Sequence, residues 1–513
     1  MKMEKTKNAS RNITFGVILK IYQILLPFLM RTFMRYTIGV QYLGLNSLFT
    51  SILQVLTLAE LGAGNAMVFS LYKPIAEDDE TKICALLKLY QLYYRVIGAV
   101  ILVIGLIITP AIPKLISGTI PEDMNVYVLY ILNLLATVFS YWLFAYRNSV
   151  LYAYQRSDVI SKITICTDTL KYGCQFLALF LCKNYYYYVI VILVTQIVFN
   201  LTVALISKRM FPSIKPEGKL NKDEKEELNN KIKDLFTSKV GYTLVSTADT
   251  IVISAFLGLT VLAQYQNYYY ILHAVIGFMG IIYSSINAGI GHSILTKSKE
   301  ENYDDFKTFT LLVSFVSGIC CACFIALYQP FIKIWMGTDM LLPNSIVILL
   351  CFYFWFYELV MMISTYKDAA GIWHEDRFRP LISGLSNLTL NILLVKVIGL
   401  YGIVLSTILS QLCISLPWII KNVHKSIFNQ SSKSYVKLLL KNTCIILLST
   451  TIVYFCELIV NIEGIVGLFV RGIIAVIISV IVLNLLFKND KNYKSARLLL
   501  CRLLKINKFV RKL

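Results

Sequence analysis

Roughly fourteen apolar runs of about 20 residues recur along this chain, each long enough to cross a bilayer as a helix. In hydrocarbon every backbone N–H and C=O must be satisfied inside its own segment, so runs of this length become helices. They fall near 14–38, 43–70, 89–117, 125–147, 159–181, 186–207, 240–258, 265–292, 308–332, 343–366, 379–398, 402–422, 437–459 and 465–487. The composition agrees, with 57% hydrophobic and 15% charged residues and a mean hydropathy of +0.67. An all-α polytopic membrane protein is predicted.

The net charge of +20 could suggest a nucleic-acid partner. The basic residues, however, sit in short segments between apolar runs, which is how a membrane protein sets its topology, and no nucleic-acid module is present. One set of alternate loops holds Lys73, Lys82, Arg156, Lys162, the basic stretch from Lys208 to Lys239, Lys297, Lys299, Arg377, Arg379, Lys421, Lys425 and Lys433. With the basic tail, these make up roughly four-fifths of all Lys and Arg. The other set has little beyond Lys114, Lys183 and Lys333. Both termini are therefore expected in the cytoplasm, with MKMEKTKNASRN as a retained tail. Tyr185 to Tyr188 and Trp335 fall at the outer boundary as ring anchors.

The first run carries Arg31 and Arg35, four residues apart and so on one helical face. An arginine at bilayer depth costs roughly 3 kcal/mol on insertion scales. Either the pair snorkels to the headgroups, which suits Arg35, or Arg31, near mid-span, faces a wet, anion-binding cavity. Other ionisable residues inside runs are Glu60, Arg95, Asp168, Lys171, Glu358, Lys396, Glu457 and Arg471. Asp168 and Lys171 are spaced to neutralise each other, whereas Glu358 has no cation at helical spacing and is a candidate ion-coupling site.

Sliding the chain by about 219 residues lays its first six runs on runs seven to twelve, a period expected of paired transporter lobes. Lys20 falls on Lys239, Gly39 on Gly258 and Lys88 on Lys307; one added residue places Pro110 on Pro330 and Arg147 on Lys367. The two halves then share one orientation. Arg31 falls on Thr250 beside Asp249, so the deepest cation of one half and the deepest anion of the other lie at similar depth. Lys20, Arg31, Arg35 and Lys239 are the candidate cavity cations. Asp249, Glu358, Glu60 and Asp168 are the candidate coupling or charge-pairing acids.

No catalytic or cofactor motif stands out: GxxxxGK[ST] and HExxH are missing, and His273, His292, His374 and His424 lack ligand spacing. The 12 cysteines, Cys320, Cys321 and Cys323 included, read as small hydrophobes rather than disulfides or metal ligands. No enzyme, cofactor or metal is expected, and transport without covalent chemistry remains. A membrane-embedded glycan polymerase, the rival of a different class, would be expected to carry a larger loop outside the membrane.

YLGLNSLFTSILQVLTLAELGAGNA (Tyr42 to Ala66), DTIVISAFLGL (Asp249 to Leu259) and YKDAAGIWHEDRFRPLISGLSNLTLNILLVKVIGLYGIVLST (Tyr366 to Thr407) resemble the polysaccharide-exporter, Wzx-type branch of the multidrug/oligosaccharidyl-lipid/polysaccharide exporter (MOP) superfamily. The resemblance spans essentially the whole chain and is most specific from Asp368 to Pro380. It implies two parallel six-helix lobes plus two C-terminal helices, as in MATE/MOP transporters. It also implies movement of undecaprenyl-pyrophosphate-linked glycan units across the bacterial cytoplasmic membrane by alternating access, with a polymerase and glycosyltransferases as pathway partners and no nucleic acid. The expected organisation is an N-lobe at 1–208, an amphipathic cytoplasmic linker at 209–238 and a C-lobe at 239–424. Two further helices follow at 425–487, then a basic tail at 488–513 that is attracted to anionic lipid. A lipid II or teichoic-type glycolipid flippase differs chiefly in its glycan. A MATE-type antiporter would be expected to place an acid in the first run, which has only Lys20, Arg31 and Arg35.

Overall fold

A computed structural model of the protein describes residues 5–60, 63–118, 120, 123–460 and 462–503. The helices are α1 (Lys5–Thr37), α2 (Val40–Leu56), α3 (Ala63–Ala76), α4 (Glu80–Ile108), α5 (Val126–Trp142), α6 (Tyr146–Ala153), α7 (Ser157–Leu177) and α8 (Tyr185–Met210). They continue as α9 (Lys222–Thr296), α10 (Lys299–Met336), α11 (Asn344–Ala369), α12 (Arg379–Ile398), α13 (Leu400–Ser410), α14 (Leu416–Val423), α15 (Lys433–Glu457), α16 (Gly464–Phe487) and α17 (Tyr493–Leu503). Among the described residues, 11 helices are long and apolar enough to cross a membrane, or 12 if α5 and α6, bent by 52°, form one span. This is a multi-pass membrane protein.

The expected fourteen runs differ from this count for two physical reasons. Runs seven and eight lie within the single stretch Lys239–Thr296, broken at Gly258, where φ 87 and ψ 174 leave the helical region. The fifth run, in α7, carries Lys162, Asp168 and Lys171 and is too charged to count by composition alone. Its Asp168 and Lys171 neutralise each other across one turn at 2.6 Å.

The chain forms two compact units, Met1–Ala263 and Gln264–Leu513. In the first, α1 lies against α7, with Phe33 and Phe176 rings 4.4 Å apart and the Tyr22 and Thr169 hydroxyls hydrogen-bonded. Asn200 of α8 donates to the carbonyls of Phe139 and Ser140 in the last turn of α5, just before the bend. The α9 segment before Gly258 belongs to this unit: Ser254 Oγ donates to Leu115 O at 2.6 Å and Gln54 Nε2 to Ser246 Oγ at 3.4 Å. In the second unit, α10 packs against α11, α15 and α16 through small residues such as Ala322, Ala326 and Ala475, which let helices approach closely in lipid. A polar seam joins α12 to α13, where Asn387 Nδ2 donates to Thr407 Oγ1 at 2.9 Å and Asn391 Nδ2 to Asn387 Oδ1 at 3.3 Å.

The backbone itself repeats. Gly39 (φ 107) and Gly118 (φ 86) lie 219 residues before Gly258 (φ 87) and Gly337 (φ 97). Gln155 (φ 56) and Lys183 (φ 47) lie 216 residues before Gly371 (φ 70) and Gly399 (φ 58). The helix-ending turns therefore recur in order in both halves, and the offset falls from 219 to 216 between residues 118 and 155.

Asn221 precedes α9, and its N–H donates to Glu224 Oε2 at 3.2 Å, one half of a capping box. Leu228 of the linker is buried and Ile232 half-buried, while the side chains of Leu235 and Phe236 lie outside the described residues. Of the basic tail, residues 504–513 lie outside the description. The preceding α17 packs into the protein, with Ala496 buried among Leu311, Leu312 and Phe487. The tyrosine run is split: Tyr185 and Tyr188 stack inward at 5.5 Å, whereas Tyr187 is exposed.

Candidate functional site

On α1, Met30 and Met34 form the buried stripe, and Leu25, Leu29 and Tyr36 are exposed. Arg31 and Arg35 follow the methionines by one position, about 100° round the helix, so they line the edge of the packed face and are half-buried. Lys20, three turns earlier, is exposed, and Lys239 on α9 is half-buried. Asp249 is 6% exposed and Thr250 3%, on the α9 segment fixed by the Ser254–Leu115 bond. Arg31, Arg35, Lys239 and Asp249 thus belong to one unit, and Glu358 to the other.

Glu358 is fully buried in α11, where Oε2 accepts from the Tyr283 hydroxyl at 2.5 Å. Its Oε1 has no hydrogen-bond partner among the described residues. A carboxyl with one oxygen held and the other unpaired can take up a proton or a cation without rearrangement of its neighbours. Tyr283 stands 75 residues from Glu358 on a separate helix, beyond the reach of any periodicity argument.

Glu60 occupies the turn Thr57–Glu60 between α2 and α3, where Oε2 accepts from the Tyr141 hydroxyl at 2.6 Å. With Phe69, Tyr72, Tyr94, Asn148, Ser149 and Tyr152 it lines a cavity of about 710 Å³. These residues come from α3, α4 and α6 and have no common spacing, so the sequence shows only the acid.

Two buried ion clusters hold the turns before α7 and α12. Asp158 is fully buried, paired with Arg156 Nε at 2.9 Å and Lys162 Nζ at 3.2 Å, and its backbone N–H donates to Asn12 Oδ1 at 2.8 Å. Asp376 is paired with Arg379 Nε at 2.7 Å and with Lys367 Nζ at 3.4 Å. The Asp368 to Pro380 stretch, the most specific part of the resemblance, thus contains a buried salt-bridge cluster. Among the described residues no group of three or more His, Cys, Asp or Glu could hold a metal ion.

No family model matches the chain, and no curated protein matches it. Solved structures do. The lipid II flippase MurJ in its inward closed conformation superposes with a TM-score of 0.67 at 16% identity, covering 93% of this chain and 99% of that one. An inward-facing multidrug resistance MATE family transporter of the MOP superfamily gives 0.60 at 12% identity, covering 80% and 97%. A Vibrio cholerae MATE transporter gives 0.54 at 15%, covering 83% and 99%. The chain has the fold of MOP-superfamily transporters.

Proposed function

We propose that the chain is a flippase carrying undecaprenyl-pyrophosphate-linked oligosaccharide units from the inner to the outer leaflet of the bacterial cytoplasmic membrane, for capsule, exopolysaccharide or O-antigen assembly. The observation that carries this reading is the arginine pair on α1. A pyrophosphate at membrane depth needs cations, and the guanidinium offers a planar, permanently charged fork that binds phosphate oxygens in pairs. Arg31 and Arg35 are the proposed anion site, with Lys20 and Lys239 along its approach. The fold supports the reading through coverage: 93% against the lipid II flippase, but 80% and 83% against the two MATE transporters.

With both termini in the cytoplasm, as the loop charges favour, the two repeated halves would alternate access around this site, with the repeat boundary near Lys239. Asp249, Glu358, Glu60 and Asp168 are the candidates for coupling or charge pairing. A polymerase and glycosyltransferases of one pathway would supply and consume the lipid-linked glycan.

Arg31→Ala is expected to reach the membrane in normal amount and lose surface glycan. Losing one partner of a buried, charge-assisted contact costs about 2–5 kcal/mol, more than tenfold in binding. Arg31→Lys recovers only part, because a point charge lacks the fork. Undiminished surface glycan in well-expressed Arg31→Ala cells refutes the assignment. A lipid II flippase is the second reading, favoured by the 0.67 superposition; the decisive observation there is rescue of growth in cells depleted of their own lipid II flippase.

A further inference from the structure

The cavity beside Glu60 has the composition of a sugar site. Its volume of about 710 Å³ is within the range of roughly 300–1,000 Å³ usual for small-molecule pockets and far more than a bare cation needs. Aromatic faces come from Phe69, Tyr72 and Tyr152, all substantially exposed. The polar groups come from Glu60, Tyr94, Asn148 and Ser149. Asn148 Oδ1 is buried with no hydrogen-bond partner among the described residues, an acceptor that calls for a donor. Glu60 Oε1 and the Tyr94 hydroxyl lie 3.2 and 3.6 Å from where a Cβ on Gly64 would stand, so the missing side chain leaves both open to the cavity.

We propose that this cavity is a saccharide subsite: Glu60 and Asn148 accept hydroxyl protons of a pyranose ring whose C–H face stacks on the tyrosines. As the headgroup end of a lipid-linked glycan, that ring deepens the flippase reading and rests on it. The aromatic and carboxylate groups share the 1–263 unit with the arginines of α1, so one unit would hold both glycan and pyrophosphate. Carboxylate and amide oxygens placed to receive ring hydroxyls discriminate against analogues that lack them, because the acceptors are then left unpaired.

The test is saturation-transfer NMR on the full chain in nanodiscs, with methyl glycosides of glucose, galactose, N-acetylglucosamine and N-acetylgalactosamine as probes. At least one should show transfer to its C–H face, and Gly64→Leu, which fills the cavity, should weaken binding about tenfold or more. Tyr94→Phe, which removes only a hydroxyl, serves as the second variant where Gly64→Leu melts early. Arg31→Ala should retain the sugar signal. Sugar binding that depends on Gly64 together with normal glycan display in Arg31→Ala upholds the subsite and refutes the pyrophosphate site. Lost display in Arg31→Ala with no transfer from any of the four glycosides, or with transfer unchanged in both cavity variants, overturns the subsite and leaves the flippase reading standing. Displacement of the glycoside by tetraphenylphosphonium in wild type but not in Glu60→Gln overturns it in favour of an organic-cation pocket.

Discussion

Gly39 and Gly258 occupy equivalent places in the repeat and nearly the same backbone state, φ 107 and ψ 175 against φ 87 and ψ 174. Both are in the extended positive-φ region essentially closed to residues with a side chain, where strain costs of order 1–3 kcal/mol. Their surroundings differ. A Cβ on Gly39 would meet nothing within 4 Å, whereas one on Gly258 would sit 2.8 Å from the carbonyl oxygen of Ser117. That oxygen cannot retreat cheaply, because Ser117 N is itself bonded to Ser254 O at 2.9 Å. Overpacking adds typically 1–3 kcal/mol, so Gly39→Ala should cost about 1–3 kcal/mol and Gly258→Ala about 2–6. At about 2 °C per kcal/mol for a unit of this size, melting falls by about 2–6 °C and 4–12 °C respectively. Thermal scans of the purified variants in one detergent measure both. Equal shifts would refute the close approach of Ser117, and no shift in either would refute the repeated backbone break.

Arg31→Asp and Asp249→Arg should each impair stability, while the double reversal should recover about 0.5–3 kcal/mol beyond additivity; strict additivity would mean the two residues do not share a space. Transport should depend on an ion gradient or on the membrane potential, which is worth about 2.3 kcal/mol per charge per 100 mV. Glu358→Gln should therefore uncouple transport in proteoliposomes, and a rate unchanged when all gradients are collapsed excludes the coupling. The linker helix should undock in acid. The hydrogen bond from Lys82 Nζ, at 2.5 Å, and the Asn221 backbone N–H hold Glu224 below its usual pKa. A depressed pKa gives stabilisation that is complete above the unfolded value of about 4.3 and is lost as pH falls through the folded one. Amide exchange of residues 222–230 should quicken there in the wild type, and equal pH dependence in Glu224→Gln would exclude this carboxylate.

The fold was legible because lipid makes local rules decisive. A 20-residue apolar run has no alternative to helix, and the punctuation between runs, above all Gly39 and Gly258, repeats in sequence before it repeats in φ. The fourteen runs exceed the helices that qualify by length and composition alone, for reasons of connection and charge. Gly258 breaks a stretch that is otherwise helical from Lys222 to Thr296, and the fifth run carries a charge pair that a hydropathy window penalises but a neighbouring turn neutralises. The alternation of Lys and Arg with apolar residues in the tail points to a surface helix and does not reveal that Ala496 packs with Leu311.

The candidate site residues that the sequence offers are those for which a single helix carries the signal. Arg31 and Arg35 declare themselves because a charge in an apolar run is costly wherever it points, and Glu358 does so for the same reason. Tyr283, which holds Glu358, and Tyr141, which holds Glu60, are tyrosines among 33, and nothing local separates them from the packing tyrosines. The same physics places the unread parts of a site where they are found. A buried carboxylate requires a donor, that donor must come from a neighbouring helix once its own turn is apolar, and a hydroxyl on an aromatic ring supplies it at the least desolvation cost. For Glu60 and Glu358, one in each unit, that donor is a tyrosine of another helix, whereas Asp168 and Glu457 are met by the cations Lys171 and Arg471.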